Sequence, residues 1–276
     1  MVVDWRKNSK AQRKSLIEPS IIREARAFKP DLAFCQFQSP GLITNRLTTE
    51  LRRIGCFTVN WSGDVRRPLP QWYRDLAPHF DVTSFTNWTD VETIRAMGHR
   101  SEFLQIGYDE LLYNNNGTGD RSGVVFIGNN YSGYKFAESD SRREMVHALH
   151  SAFGDRFKVY GMSWAPYDRE PGDAIILRGA SIAVGWDHFH RPGFASDRLL
   201  RATACGCAVV NQHYEGIEGE HPHVVAVKSV GEMVEAVRLL LERPDVAAKL
   251  GEENAANTLA NHRWNERVKQ IETWMR

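Results

Sequence analysis

The feature that most restricts this chain is alternation. Short apolar runs bounded by turn formers exchange with helix-periodic segments along most of its length. That rhythm predicts an α/β protein with parallel sheets covered by helices. Ser20 to Phe28 reads as a helix ended by Pro30, and Asp31 to Phe37 as a strand region. Thr44 to Ile54 carries Leu47, Leu51 and Ile54 on one helical face and closes at Gly55. Strands follow at Cys56–Trp61, Asp81–Phe85 and Ser101–Ile106. Between the last two, a helix capped by Thr89 or Asp90 runs to Met97.

Residues 114–123 are turn formers without apolar content and read as a linker. A second alternating unit comes next. Its strands are Val124–Ile127, Phe157–Tyr160, Ile182–Trp186, Cys207–Val210 and Val224–Val227. Its helices are Ser141–Phe153, Ser196–Cys205 and Val230–Leu241. The expected domains are 1–116 and 117–260. Residues 261–276 form a terminal helix whose stripe Trp264, Val268, Ile271 and Met275 packs back on the first domain.

Composition narrows the function. Thirty-five Lys+Arg balance 34 Asp+Glu, for a net charge of +1, whereas a sequence-independent nucleic-acid binder is usually far more basic. Residues 1–30 hold eight basic and three acidic residues, a local +5. This reads as a solvated terminus ahead of a binding arm. Cys35, Cys56, Cys205 and Cys207 form no C-x-x-C and read as buried reduced thiols of a cytoplasmic protein. No apolar leader and no bilayer-length apolar run is visible, so membrane insertion is not expected.

Three common signatures are absent: G-x-G-x-x-G, a P-loop ending in G-K-[ST], and G-x-S-x-G. Gly128-Asn129-Asn130-Tyr131-Ser132-Gly133-Tyr134-Lys135 resembles a P-loop only in its glycines. His188-Phe189-His190 and His221-Pro222-His223 are H-x-H pairs without an obvious third ligand, so no metal is expected. His221 and His223 read as exposed loop residues. His188 and His190 follow a strand, and a substrate-facing role there stands level with a structural one.

The richest stretch is 186–207. A strand ends, a glycine loop turns, and a helix starts near Ser196. A helix start offers free N–H groups and a positive dipole end, where phosphate is a natural guest. Arg198 in that first turn is unfavourable to the helix unless an anion lies nearby. The alternative is an ion pair with Asp187 or Asp197.

Ser196-Asp197-Arg198-Leu199-Leu200-Arg201-Ala202-Thr203-Ala204-Cys205-Gly206 resembles the S-x-R-x-x-E-x-x-A-x-G segment of GT-B glycosyltransferases. The branch it resembles most includes the spore-maturation CgeB-like enzymes and related phage-encoded enzymes. Other pieces resemble that group in the same order. They are Lys29-Pro30-Asp31-Leu32, Trp61-Ser62-Gly63-Asp64, Val125-Phe126-Ile127-Gly128-Asn129, Tyr160-Gly161 and His262-Arg263-Trp264 to Arg267. The resemblance covers most of residues 29–270. The E-x7-E acids of many such enzymes would fall on Gly193 and Arg201, and neither is acidic. The nucleoside grip therefore departs from the family pattern.

The resemblance implies two Rossmann-like domains facing across a cleft, the first abbreviated. It implies metal-independent transfer of a sugar from a nucleotide donor, most readily UDP-linked, to a hydroxyl acceptor, with no cofactor beyond that substrate. Donor contacts then fall to Gly128, Asn129, Asn130, Tyr131, Tyr160, Gly161, Trp164, His188, Ser196, Asp197 and Arg198. Trp164 is equally a core residue. Lys135, Arg142 and Arg143 add cations, and at least one of Arg142 and Arg143 reads as part of a solvated helix face. Arg198 stabilises the departing diphosphate. Asp64 is the candidate base or acceptor-orienting group, or else an Asx-turn carboxylate. A glycan, a small molecule or a hydroxymethylated DNA base fits as acceptor. A non-catalytic nucleotide- or glycan-binding module and a sugar-nucleotide epimerase are the competing readings.

Overall fold

The computed structural model describes residues 17–37, 39–117, 119–131, 136–164 and 172–276. The chain divides into two compact units, Met1–Gln105 with Met275–Arg276, and Ile106–Trp274.

In the first unit the elements are α1 (Ile17–Phe28), β1 (Leu32–Cys35), α2 (Asn45–Arg53), β2 (Phe57–Ser62), α3 (Gln71–Leu76), β3 (Val82–Phe85), α4 (Trp88–Arg95) and β4 (Ser101–Phe103). The four strands form a parallel sheet in the order β1-β2-β3-β4. Ile22, Ala25, Leu47, Leu51 and Phe80 make one core cluster, and Tyr73, Phe85, Val91 and Ile94 another. Asn87, rather than Thr89 or Asp90, caps α4: its side chain accepts the N–H of Asp90. The helix begins at Trp88, so Thr89 and Asp90 already lie inside its first turn, where an N-cap's extended backbone is excluded.

The second unit contains β5 (Val124–Ile127), α5 (Ser139–Phe153), β6 (Phe157–Tyr160), α6 (Asp173–Gly179), β7 (Ile182–Gly185), α7 (Asp197–Ala204), β8 (Ala208–Gln212), α8 (Ile217–Glu220) and β9 (Val225–Val227). Three helices close it: α9 (Val230–Glu242), α10 (Pro244–Asn261) and α11 (Trp264–Trp274). Its sheet is parallel throughout, in the order β6-β5-β7-β8-β9.

Side-chain alternation covers both sheet faces. Val124, Phe126, Ile182, Val184, Ala208 and Val210 point to one core with Met145, Leu149, Met233 and Val237 of α5 and α9. Val125, Ala183 and Val209 point to the other with Leu177, Leu199 and Ala202 of α6 and α7. A fully buried side chain such as Phe126 contributes about 1.5–3 kcal/mol of apolar transfer, so strand register is strongly held.

The chain reverses direction in the sheet after β6: β5 pairs with β6 on one side and with β7 on the other. Ligands in open α/β sheets gather outside the carboxyl ends of the strands flanking such a switch point. Here those ends are the loops after Ile127 and after Gly185.

Candidate functional site

The loop after β5 is shaped by close backbone approach. Gly161 has φ +152°, and a Cβ there would stand 1.9 Å from the carbonyl oxygen of Gly128. Only glycine lets the end of β6 lie this near. The two loops are then stitched together. Met162 N–H donates to Asn129 Oδ1 at 2.9 Å, and Asn130 N–H to the Met162 carbonyl at 2.9 Å. Trp164 Nε1–H donates to Gly128 O at 2.7 Å, and its ring packs partly buried on the core. Trp164 therefore braces the loop from below. Asn129 also donates to the Tyr131 hydroxyl at 3.2 Å.

Facing this loop across the switch point are Asp187 and His188, just past β7. Arg142 reaches them from the first turn of α5. It is 1% exposed and lies over the Phe126 ring, 5.6 Å from its centroid. Its Nη1 donates to Asn129 O at 3.2 Å and to His188 Nε2 at 2.6 Å. Its Nε and Nη2 are buried with no partner among the described residues. Burial, and next the charge of Arg198, lower the Arg142 pKa to about 9, so it stays cationic at neutral pH.

His188 is held neutral. Burial, then Arg142 and Arg198, lower its pKa to about 3. Because Nε2 accepts from the guanidinium, its proton sits on Nδ1, which faces Ser139 Oγ at 3.5 Å. Its ring lies 5.0 Å from the Tyr131 ring and 5.0 Å from the Phe136 ring.

Arg198 extends from α7 to Asp187, with Nη2 to Oδ1 at 2.6 Å. Asp187 is 7% exposed. The pairing alternative for Arg198 is thus realised, with Asp187 as partner. Asp197 is engaged instead with Arg201, Nη2 to Oδ2 at 2.6 Å, while Arg201 Nη1 bonds Asp173 at 3.0 Å. Ser196 is the N-cap of α7 in extended conformation, and its side chain makes no capping bond. The Leu199 N–H donates instead to the Ser196 carbonyl at 3.1 Å.

The site thus gathers Asn129, Tyr131, His188 and Arg198 around one element that sequence reasoning left among generic cations, Arg142. Its neighbour Arg143 is the solvated one and pairs with Asp140. The signal for Arg142 was present: it precedes Met145, Val146 and Leu149 by three, four and seven residues on the buried face of α5. Tyr160 and Gly161 close β6 beside this loop, with Tyr160 partly buried against the core cluster of α6 and α7. Lys135 lies outside the described residues. Asp64 belongs to the first unit, follows β2, and is 64% exposed, with Arg66 at 3.8 Å.

The histidine pair at 221–223 corrects an expectation. His221 is 1% exposed, not a loop residue in solvent, and stacks on His262 with centroids 4.5 Å apart. Neither ring nitrogen of His221 finds a partner among the described residues. The short helix α8 carries it inward, because Ile217 is fully buried at the same turn. His223 is half-exposed and faces Glu253 at 3.3 Å. Among the described residues no group of three or more His, Cys, Asp or Glu is placed to hold a metal ion, and no helix is long and apolar enough to cross a membrane.

A protein-family model described as "Glycosyl transferase-like" matches residues 142–273. A comparison with curated protein sequences gives no match. Solved structures of similar fold include sucrose-phosphate synthase from Thermosynechococcus elongatus, at 13% identity and TM-score 0.58, over 95% of this chain and 78% of that one. The α,α-trehalose 6-phosphate synthase of Burkholderia multivorans matches at 11% identity and TM-score 0.62, over 99% and 77%. Anabaena HepE in complex with UDP-glucose matches at 13% identity and TM-score 0.58, over 93% and 81%. The chain has two Rossmann-like parallel sheets, the architecture of the GT-B fold, and the glycosyl transferase-like match falls in its second unit.

Proposed function

We propose that this protein is a glycosyltransferase that takes a sugar from a nucleotide donor, UDP-linked, and that the donor diphosphate sits at the switch point between Arg142 and Arg198. One observation carries the reading. Arg142 is a cation almost wholly removed from water, yet two of its three guanidinium nitrogens lack partners among the described residues. Leaving such donors unmade costs about 1–3 kcal/mol or more, and an anion at this position recovers it. A second cation, Arg198, is near enough for its charge to act on Arg142. UDP-glucose in the structurally similar HepE supports the donor class.

In this account the reaction breaks the bond between the sugar's anomeric carbon and the diphosphate oxygen. Negative charge grows on the diphosphate, and preorganised donors there lower the barrier by about 3–4 kcal/mol each. Neutral His188 holds Arg142 in place by accepting from Nη1, and adds no third charge. The loop Gly128 to Tyr131 and the Tyr160–Gly161 turn border the nucleoside side. The acceptor belongs to the first unit, where Asp64 offers an exposed carboxylate to orient its hydroxyl. The acceptor class includes a hydroxymethylated DNA base, and catalysis proceeds without a metal.

The missing acids at 193 and 201 favour one rival, a non-catalytic nucleotide-binding module. UDP should stabilise the protein in either case. Release of UDP from UDP-glucose, slow without acceptor and faster with the right one, separates the two. No hydrolysis and no transfer from any nucleotide sugar that binds would establish the rival.

A further inference from the structure

Beside the switch point, at the carboxyl ends of β7, β8 and β9, lies a cleft of about 600 Å³. That is the size of a small-molecule site. It adjoins the arginine cluster directly: Ser141 precedes Arg142, Trp186 precedes Asp187, and Gln212 Oε1 accepts the Asp187 N–H at 3.3 Å. Trp186 forms one wall, with Nε1 donating to Ser141 Oγ at 3.1 Å, and Ser141 donates in turn to Glu138 Oε2 at 2.8 Å. Glu144, Gln212 and Lys228 complete a rim of planar or terminal polar groups.

Two carboxylates in the lining, Glu138 and Glu144, disfavour a phosphate. The start of α9 borders the cleft and is capped by its own side chains. Ser229 Oγ accepts the Glu232 N–H at 3.1 Å, and Glu232 Oε2 accepts the Lys228 N–H at 2.8 Å. Carboxylates and an amide suit the vicinal hydroxyls of a sugar ring. Charge selects further. The cleft's two carboxylates, Glu138 and Glu144, stand against one lysine, Lys228, and His213 is engaged with Glu218 at 3.2 Å.

We propose that this cleft holds an uncharged pyranose ring and that Glu144, with Glu138, excludes sugar acids. The proposal deepens the donor reading and rests on it for the assignment of that ring to the transferred sugar. An acceptor sugar has the same chemistry, and the test separates the two sources.

The test is calorimetric binding at pH 8 and low salt of UDP, UDP-glucose and UDP-glucuronate to the whole chain. UDP-glucuronate should bind about tenfold more weakly than UDP-glucose. Glu144→Lys, a change at an exposed site, should close that gap while leaving UDP affinity unchanged, and Glu144→Gln should fall between. Equal affinities in the wild type, or an unaltered ratio in Glu144→Lys, overturn the proposal. Saturation-transfer NMR with methyl glucoside and methyl glucuronoside supplies the nucleotide-free arm. Displacement of bound glucoside by UDP-glucose but not by UDP assigns the cleft to the donor sugar, and persistence beside UDP-glucose assigns it to an acceptor. If UDP itself fails to bind, the donor reading falls. The cleft is then judged on the free sugars alone: preference for the glucoside supports it, and no preference or no signal overturns it.

Discussion

Arg142 donates from Nη1 to the Nε2 of His188 at 2.6 Å, so a buried cation is steadied by a histidine that must stay neutral. The pair sits where the sheet reverses order, and it links the loop after β5 to the loop after β7. The other two guanidinium nitrogens, Nε and Nη2, have no partner among the described residues.

Arg198→Ala should lower sugar transfer by about 10²–10³-fold, the effect of removing one preorganised donor. It also strands the Asp187 carboxylate, 7% exposed, so the variant should lose about 1–3 kcal/mol of stability. Pairing Arg198→Ala with Asp187→Asn should restore stability without restoring turnover. Recovery of both would assign Arg198 to structure alone.

Gly161→Ala should displace the Gly128 carbonyl, because the new Cβ arrives at 1.9 Å. The expected result is a loss of about 1–3 kcal/mol and several-fold weaker nucleotide binding, read from urea melts and calorimetry. Gly154→Ala serves as a comparison: φ is +52° and no atom lies within 4 Å of the new Cβ, so it should lower stability without touching nucleotide affinity.

Acid should destabilise the protein steeply. His188 and His221 are lowered to about 3 and His262 to about 4, mainly by burial. A histidine whose folded pKa is depressed binds its proton more readily when unfolded. Its contribution is complete above the unfolded value near 6.5 and is lost as pH falls from there toward 4 and below. Stability measured by urea at pH 7.5, 6, 5 and 4.5 should fall with a slope approaching three protons. His221→Phe removes two unpartnered buried nitrogens and keeps the stacked ring. It should leave stability at pH 7.5 within about 1 kcal/mol, or raise it, and make the acid slope shallower. An unchanged slope would place the acid sensitivity elsewhere.

Transfer should persist in excess EDTA, since the proposed charge stabilisation comes from arginines and backbone donors. A strict requirement for Mn²⁺ would contradict the metal-free account.

Much of the fold is legible in the sequence because most elements bury clear apolar periods. Phe157–Tyr160 is a strand with the expected bounds, and β7 and β8 alternate cleanly between the two cores. The long helix α10 was not legible. Its buried positions are Ala247, Gly251, Asn254 and Thr258, small or polar residues that carry no apolar stripe. They serve close approach: a Cβ on Gly251 would meet the Gly206 carbonyl at 2.2 Å, and Asn254 donates to Cys207 O at 3.2 Å. His221 was misread for a related reason, because burial of a polar ring beside another histidine leaves no hydrophobic pattern. Arg142 shows the same limit. Its helical phase places it inside, but only the geometry of Asn129 and His188 reveals a charge held ready at a strand-order reversal.

The most direct test is thermal unfolding of Arg142→Met with and without saturating UDP. Methionine fills the same channel without the charge, so the ligand-free variant should melt within a few degrees of the wild type or above it. UDP should raise the wild-type midpoint and leave that of the variant unmoved. A variant that is strongly destabilised yet still stabilised by UDP as the wild type is would contradict the claim that Arg142 is a waiting diphosphate partner.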